Sequence, residues 1–84
     1  MKPLLKPTIH MNGTSKDELL NQLEAVINAL DAALAAINAA APNGRDFYPQ
    51  GPEAFQEAQE AFAERARAIK QAHSDFTDLA WDIA

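Results

Sequence analysis

The sequence predicts an all-α fold: an antiparallel two-helix hairpin with an extended N-terminal arm, expected to dimerise into a four-helix bundle. Three observations carry this expectation. An unbroken apolar seam runs through 19–41, a second seam repeating every seven residues runs through 55–83, and a stretch bearing proline and glycine separates them. The expected division is an arm over 1–14 and a helical hairpin over 15–84, with helices at 15–41 and 52–83 and a loop at 42–51.

In the first helix, Leu20, Leu23, Ile27, Leu30, Leu34, Ile37 and Ala41 are separated by alternating steps of 3 and 4. That spacing places all of them on one helical stripe, as in a coiled coil. Leu19, Val26, Ala33 and Ala40 widen the stripe on one flank. A strand would need a period of two, which is absent. No Gly or Pro falls between Thr14 and Ala41, and the composition is rich in Ala and Leu, the strongest helix formers. Ser15-Lys16-Asp17-Glu18 has the pattern of a capping box, in which Ser15 caps a backbone N–H and Glu18 reaches back; Thr14 is the alternative cap. Asp17 and Glu18 also suit the positive end of the helix dipole. From there the first helix should run about 26 residues, roughly 40 Å.

Pro42-Asn43-Gly44 should stop it, with Asn43 and Gly44 supplying left-handed conformations beyond the last turn. The connection through Arg45-Asp46-Phe47-Tyr48-Pro49-Gln50-Gly51 is longer than a helical hairpin requires. Pro52 suits the first position of the second helix, and Glu53 its dipole. Phe55, Phe62, Ile69, Phe76 and Ile83 then recur at intervals of seven. Ala58, Ala72 and Leu79 fill the complementary positions, and Arg65 interrupts them once. Large side chains against small neighbours should interdigitate with the Leu/Ile seam of the first helix.

Ahead of both helices, Pro3 and Pro7 push Lys2 and Lys6 toward extended conformations, which makes 1–13 an arm ended by a turn at Asn12-Gly13. Its Leu4, Leu5, Ile9 and Met11 are expected to pack on the helices or on a second chain. Disorder at the extreme terminus is the alternative. Such a hairpin has little to stabilise it alone, because area burial at ~25 cal/mol/Å² barely offsets ordering costs of ~1.5 kcal/mol per residue. Ala25, Ala29, Ala32, Ala35, Ala36 and Ala39 lie off the main stripe. They are either a bland helical surface or a second packing face, and the second option implies a homodimer with the first helix near its centre.

Composition narrows the function. The 84 residues allow one domain, and the absence of cysteine removes disulfides, thiolate metal sites and a cysteine nucleophile. The net charge of −5 with 7 scattered basic residues argues against direct nucleic-acid binding. Asn, Asp and Gln interrupt the first helix, so no membrane span is expected, and the arm lacks the apolar core of a secretory signal. A cytoplasmic protein is the resulting expectation.

Chemistry has few candidates. Glu53, Glu57, Glu60 and Glu64 form an acidic stripe continued by Arg67 and Lys70. This stripe is either a solvated face or a mimic of a phosphate backbone occupying a basic groove. Nothing converges its carboxylates on a cation, and the inward Glu-x-x-His pairs of di-iron bundles are missing. His10 has no partner nearby in sequence, and His73-Ser74-Asp75 splay round a helix axis, so no nucleophilic relay, metal site or cofactor is expected and the chain reads as non-enzymatic. Binding has better candidates. Arg45, Asp46, Phe47 and Tyr48 combine Arg with two aromatics, the composition of an interface hot spot. Phe47 and Tyr48 either plug the end of the bundle or stand exposed as anchors. Trp81 lies off the seam between Asp78 and Asp82, placed to touch the arm, a second chain or a partner. Asp75, Asp78 and Asp82 oppose the helix dipole, which implies a nearby cation such as Lys2 or Lys6.

The segment Ile9-His10-Met11-Asn12-Gly13-Thr14-Ser15, followed by a long helix and then Ala41-Pro42-Asn43-Gly44-Arg45-Asp46-Phe47-Tyr48-Pro49-Gln50-Gly51, resembles a group of small phage and prophage proteins of unassigned function. They share an H-x-N-G-T-S lead-in and an A-P-N-G-R-D-[YF]-Y-P-Q-G loop. The resemblance spans most of the chain and brings no catalytic motif. It implies a phage-encoded protein acting in the host cytoplasm. The expected function is then a protein-interaction module: a homodimeric hairpin that binds, and inhibits or redirects, a host protein such as a defence factor. The alternatives are an assembly scaffold and an acidic nucleic-acid mimic.

Overall fold

The computed structural model describes residues 1–84. Two long helices, α1 (Lys16–Ala39) and α2 (Ala54–Ile83), pack against each other as a hairpin, and two short 3-10 turns, Gly44–Asp46 and Tyr48–Gln50, lie between them. There is no strand. Residues 1–10 carry no regular structure, and a turn follows in which the Gly13 N–H donates to the His10 carbonyl at 3.1 Å.

Each helix end has a local cause. Ser15 caps α1, its hydroxyl accepting from the Glu18 N–H at 3.1 Å. That is one half of the capping box, and Thr14 is not the cap. α1 ends at Ala39, two residues earlier than the periodicity suggests. Pro42 disfavours a helical Ala41, so the last turn tightens at Ala40 (φ −95°, ψ 8°), whose N–H is shared between the Ala36 and Ile37 carbonyls, while the Ala41 N–H donates to the Asn38 carbonyl. No left-handed residue follows: Asn43 is extended and Gly44 enters a 3-10 turn. The only positive φ belongs to Gly51, at 117°, where the chain turns into α2. α2 starts at Ala54 rather than at Pro52, which leaves Glu53 at the cap position without a side-chain bond and Glu57 as the acid of the first turn.

The seam residues Leu20, Leu23, Ile27, Leu30, Leu34 and Ile37 face α2, and Phe55, Phe62, Ile69 and Phe76 face α1, yet every one of them is only half-buried. The fully buried residues are two, Ala66 (9% exposed) and Ile83 (6%). Ala41 lies outside the packed seam. The interruption at Arg65 is resolved by a step of four: Ala66 takes the inward place, while the Arg65 side chain is 73% exposed and pairs with Glu64 at 3.7 Å. An α-helix drifts by about 20° per heptad from a strict repeat of seven, and this drift moves the next residue inward. It also makes Ala80 line a cleft with Leu20 and Ile27, while Leu79 turns toward the arm.

The molecule measures 62 × 22 × 16 Å, and its radius of gyration is 18.2 Å. A compact chain of this length would have a radius near 12 Å. Helices are roughly 10–12 Å across, so the cross-section holds one helix pair and the arm. α1 reaches the length and apolar content of a membrane-crossing helix, contrary to the expectation from its interrupting polar residues. It also carries Glu24 and Asp31, and an Asp alone costs about 2.5–3.5 kcal/mol at a bilayer centre.

Candidate functional site

The loop is built by its own backbone. Asn43 Oδ1 accepts from the Arg45 N–H at 3.1 Å, and the Asn43 carbonyl accepts from the Asp46 N–H at 3.0 Å. A second turn follows at once, with Gln50 N–H donating to the Phe47 carbonyl at 2.9 Å. Phe47 is drawn down onto Phe55 of α2, ring centroids 6.4 Å apart and planes inclined by 30°. Gly44 lies against the same Phe55 ring. Phe47 therefore plugs the end of the hairpin. Tyr48 does the opposite: it is 77% exposed, with Arg45 and Asp46 exposed beside it and unpaired.

Trp81 is 76% exposed near the far end of α2. It stands about 40 Å along the helix from Ala54, so the loop and Trp81 are two separate surfaces. Trp81 borders an apolar cleft of about 270 Å³ formed with Leu20, Ile27, Thr77, Ala80 and Ala84. On the same flank, nearer the loop, Pro42, Phe62, Ala63 and Ala66 form a second cleft of about 370 Å³, bordered by Arg67 and Lys70.

The arm occupies the opposite flank. Met1, Lys2, Pro3 and Leu4 line a cleft of about 410 Å³ with Gln71, Asp75, Asp78, Leu79 and Asp82. Lys2 is thus near the acidic end of α2, although no ion pair closes between them. The cation bonded at this end comes from α1: Lys16 Nζ donates to the Ala84 carbonyl at 2.9 Å. Leu5 and Met11 remain outside any packing.

Glu53, Glu57, Glu60 and Glu64 are exposed and run along about 16 Å of α2 rather than around a point. Gln56 Nε2 donates to Glu60 Oε1 at 3.1 Å, and no three acidic or histidine groups converge on a shared position.

One pairing escaped the sequence. His73 Nε2 lies 2.9 Å from Asp31 Oδ1, joining α2 to α1. The separation suits an ion pair, but the ring is not aligned for a hydrogen bond, and Nε2 is otherwise enclosed without a partner. Ser74 is exposed, and the neighbouring Thr77 hydroxyl donates to the His73 carbonyl at 2.8 Å. The pair therefore has a structural place in the seam with no nucleophile aligned on it. Its sequence signal was a polar residue on each seam flank, readable only once the pairing register is known.

No family model, curated protein or solved structure matches this chain.

Proposed function

We propose that this chain is a non-enzymatic protein-interaction module that works as a homodimer and recognises another protein through the loop Arg45-Asp46-Tyr48. The observation that carries the reading is surface. A folded monomer of 9.1 kDa exposes about 4,900 Å². This chain exposes 6510 Å² and buries two residues. The excess of about 1,600 Å² per chain lies in the range that obligate dimers remove from water. The half-covered seam and the two clefts on the Trp81 flank contribute to it.

The loop supplies recognition. Its backbone turns hold it rigid, Phe47 ties it to α2, and Tyr48 and Arg45 project without partners. Pre-organised aromatic and Arg side chains are the residue types that dominate interface energetics. The resemblance to small phage proteins extends this reading to a host factor as the target. Affinity capture from host lysate with the wild type, Tyr48→Ala and Arg45→Ala tests it. The expected result is a partner retained by the wild type and lost by both variants, which keep their helicity and mass. Equal retention by all three would refute loop recognition.

The exposed row Glu53, Glu57, Glu60 and Glu64 favours acidic mimicry as a second reading. In that case the complex would weaken with salt and on reversing Glu57, Glu60 and Glu64, while the loop variants would bind normally.

A further inference from the structure

The outer ridge of α2 is complementary to itself. Arg67, Lys70, Ser74, Asp78 and Trp81 follow one another at steps of 3, 4, 4 and 3, a palindrome about Ser74. At 3.6 residues per turn they share one face over about 21 Å. All five are exposed. The close side-chain charge contacts within the chain are Arg65–Glu64 and the approach of His73 to Asp31, so Arg67, Lys70 and Asp78 are without one. Basic residues occupy the half before Ser74, and the acid and the Trp occupy the half after it.

We infer that two copies of this chain pair through this ridge, α2 against α2 antiparallel, with a two-fold axis at Ser74. Residues at equal distances before and after Ser74 then meet across the axis. Lys70, four residues before it, faces Asp78 of the other copy, and each pair forms twice because the contact is isologous. Arg67, seven residues before it, faces Trp81 of the other copy, which suits a guanidinium stacked on an indole. Ser74 is small enough to let the helices approach closely at the axis. The two clefts on this flank fit the arrangement. Trp81 of one copy comes to lie over the Phe62–Ala63–Ala66 cleft of the other, bordered by Arg67 and Lys70. The exposed alanine face of α1 offers no such large side chain or charge pattern. α2 therefore occupies the centre of the assembly, the place that periodicity alone assigns to α1. The arm runs along the edge of this ridge, its cleft bordered by Asp78 as well as by Asp75 and Asp82.

This inference rests on the homodimer reading, and its test separates the two. Sedimentation equilibrium of the full chain would compare the wild type with Lys70→Asp, Asp78→Lys, the double variant carrying both changes, and Trp81→Ala, with helical circular dichroism confirming folding. Each single reversal places two repulsive pairs at the interface, so each should weaken the dimer at least about tenfold. The double variant recreates the pair in inverted order and should recover most of the loss. Trp81→Ala should weaken the dimer by a similar factor, and Trp81 emission in the wild type should shift to the blue on association. A dimer indifferent to both single reversals, or a double variant weaker than either, would overturn this interface and leave the homodimer standing. A wild type that is monomeric throughout would overturn both.

Discussion

Replacing Ala66 with Leu tests where the helices touch. Ala66 is 9% exposed and stands where Phe62 and Ile69, on either side of it along the seam, bring α2 against α1. Leu adds three carbons at a nearly closed point of the seam, beside the Phe62–Ala63 cleft, and the part forced against α1 should cost about 1–3 kcal/mol through overpacking. In a domain of this size that loss corresponds to a fall in Tm of about 5–20 °C. The control is its neighbour. Arg65→Leu alters a side chain that is 73% exposed, whose Nη1 donates to the Ala61 carbonyl at 3.2 Å and pairs with Glu64, so it should stay within about 0.5 kcal/mol. Thermal unfolding followed by circular dichroism at one fixed protomer concentration measures both, the fixed concentration being needed because association shifts Tm. If Arg65→Leu moves Tm by more than Ala66→Leu, the repeat of seven continues through residue 65 and the packing register described above is wrong.

Other outcomes follow from the loop and the seam. Phe47→Ala should cost about 1–2 kcal/mol, less than for a fully buried ring because Phe47 is half-buried, while Tyr48→Ala should leave stability unchanged within about 0.5 kcal/mol; urea titration separates them. Gly51→Ala forces a side chain into the conformation at φ 117° and should lower stability by about 1–3 kcal/mol even though the site has open space around it, a loss the same titration would read. A double-mutant cycle on Asp31→Ala and His73→Ala should give a coupling of about 0.5 kcal/mol, small because Asp31 is 61% exposed; a coupling of zero would remove the pair from the account of the seam.

Both helices, the Ser15 cap and the hairpin were legible from spacing and turn chemistry, since each depends on residues close in sequence. What was not legible depended on register. A strict repeat of seven put position 65 inward, and only the drift of a real helix against a straight partner moved Ala66 there. Asp31 and His73 lie 42 positions apart, and nothing local announces their contact. The same holds for Lys16 and the end of α2: the need for a cation was readable from Asp75, Asp78 and Asp82, but its source on α1 was not. In the loop, two adjacent aromatics gave no sign of which would turn inward. The turn at Gly44–Asp46 decides that, by aiming Phe47 at Phe55 and leaving Tyr48 outside.

As proposed, this hairpin is one half of a two-chain assembly. Sedimentation equilibrium across a wide concentration range tests it most directly. A dimer gives a particle of twice 9.1 kDa, with a urea midpoint that falls on dilution. A 9.1 kDa particle at every concentration, with a midpoint indifferent to dilution, would contradict it.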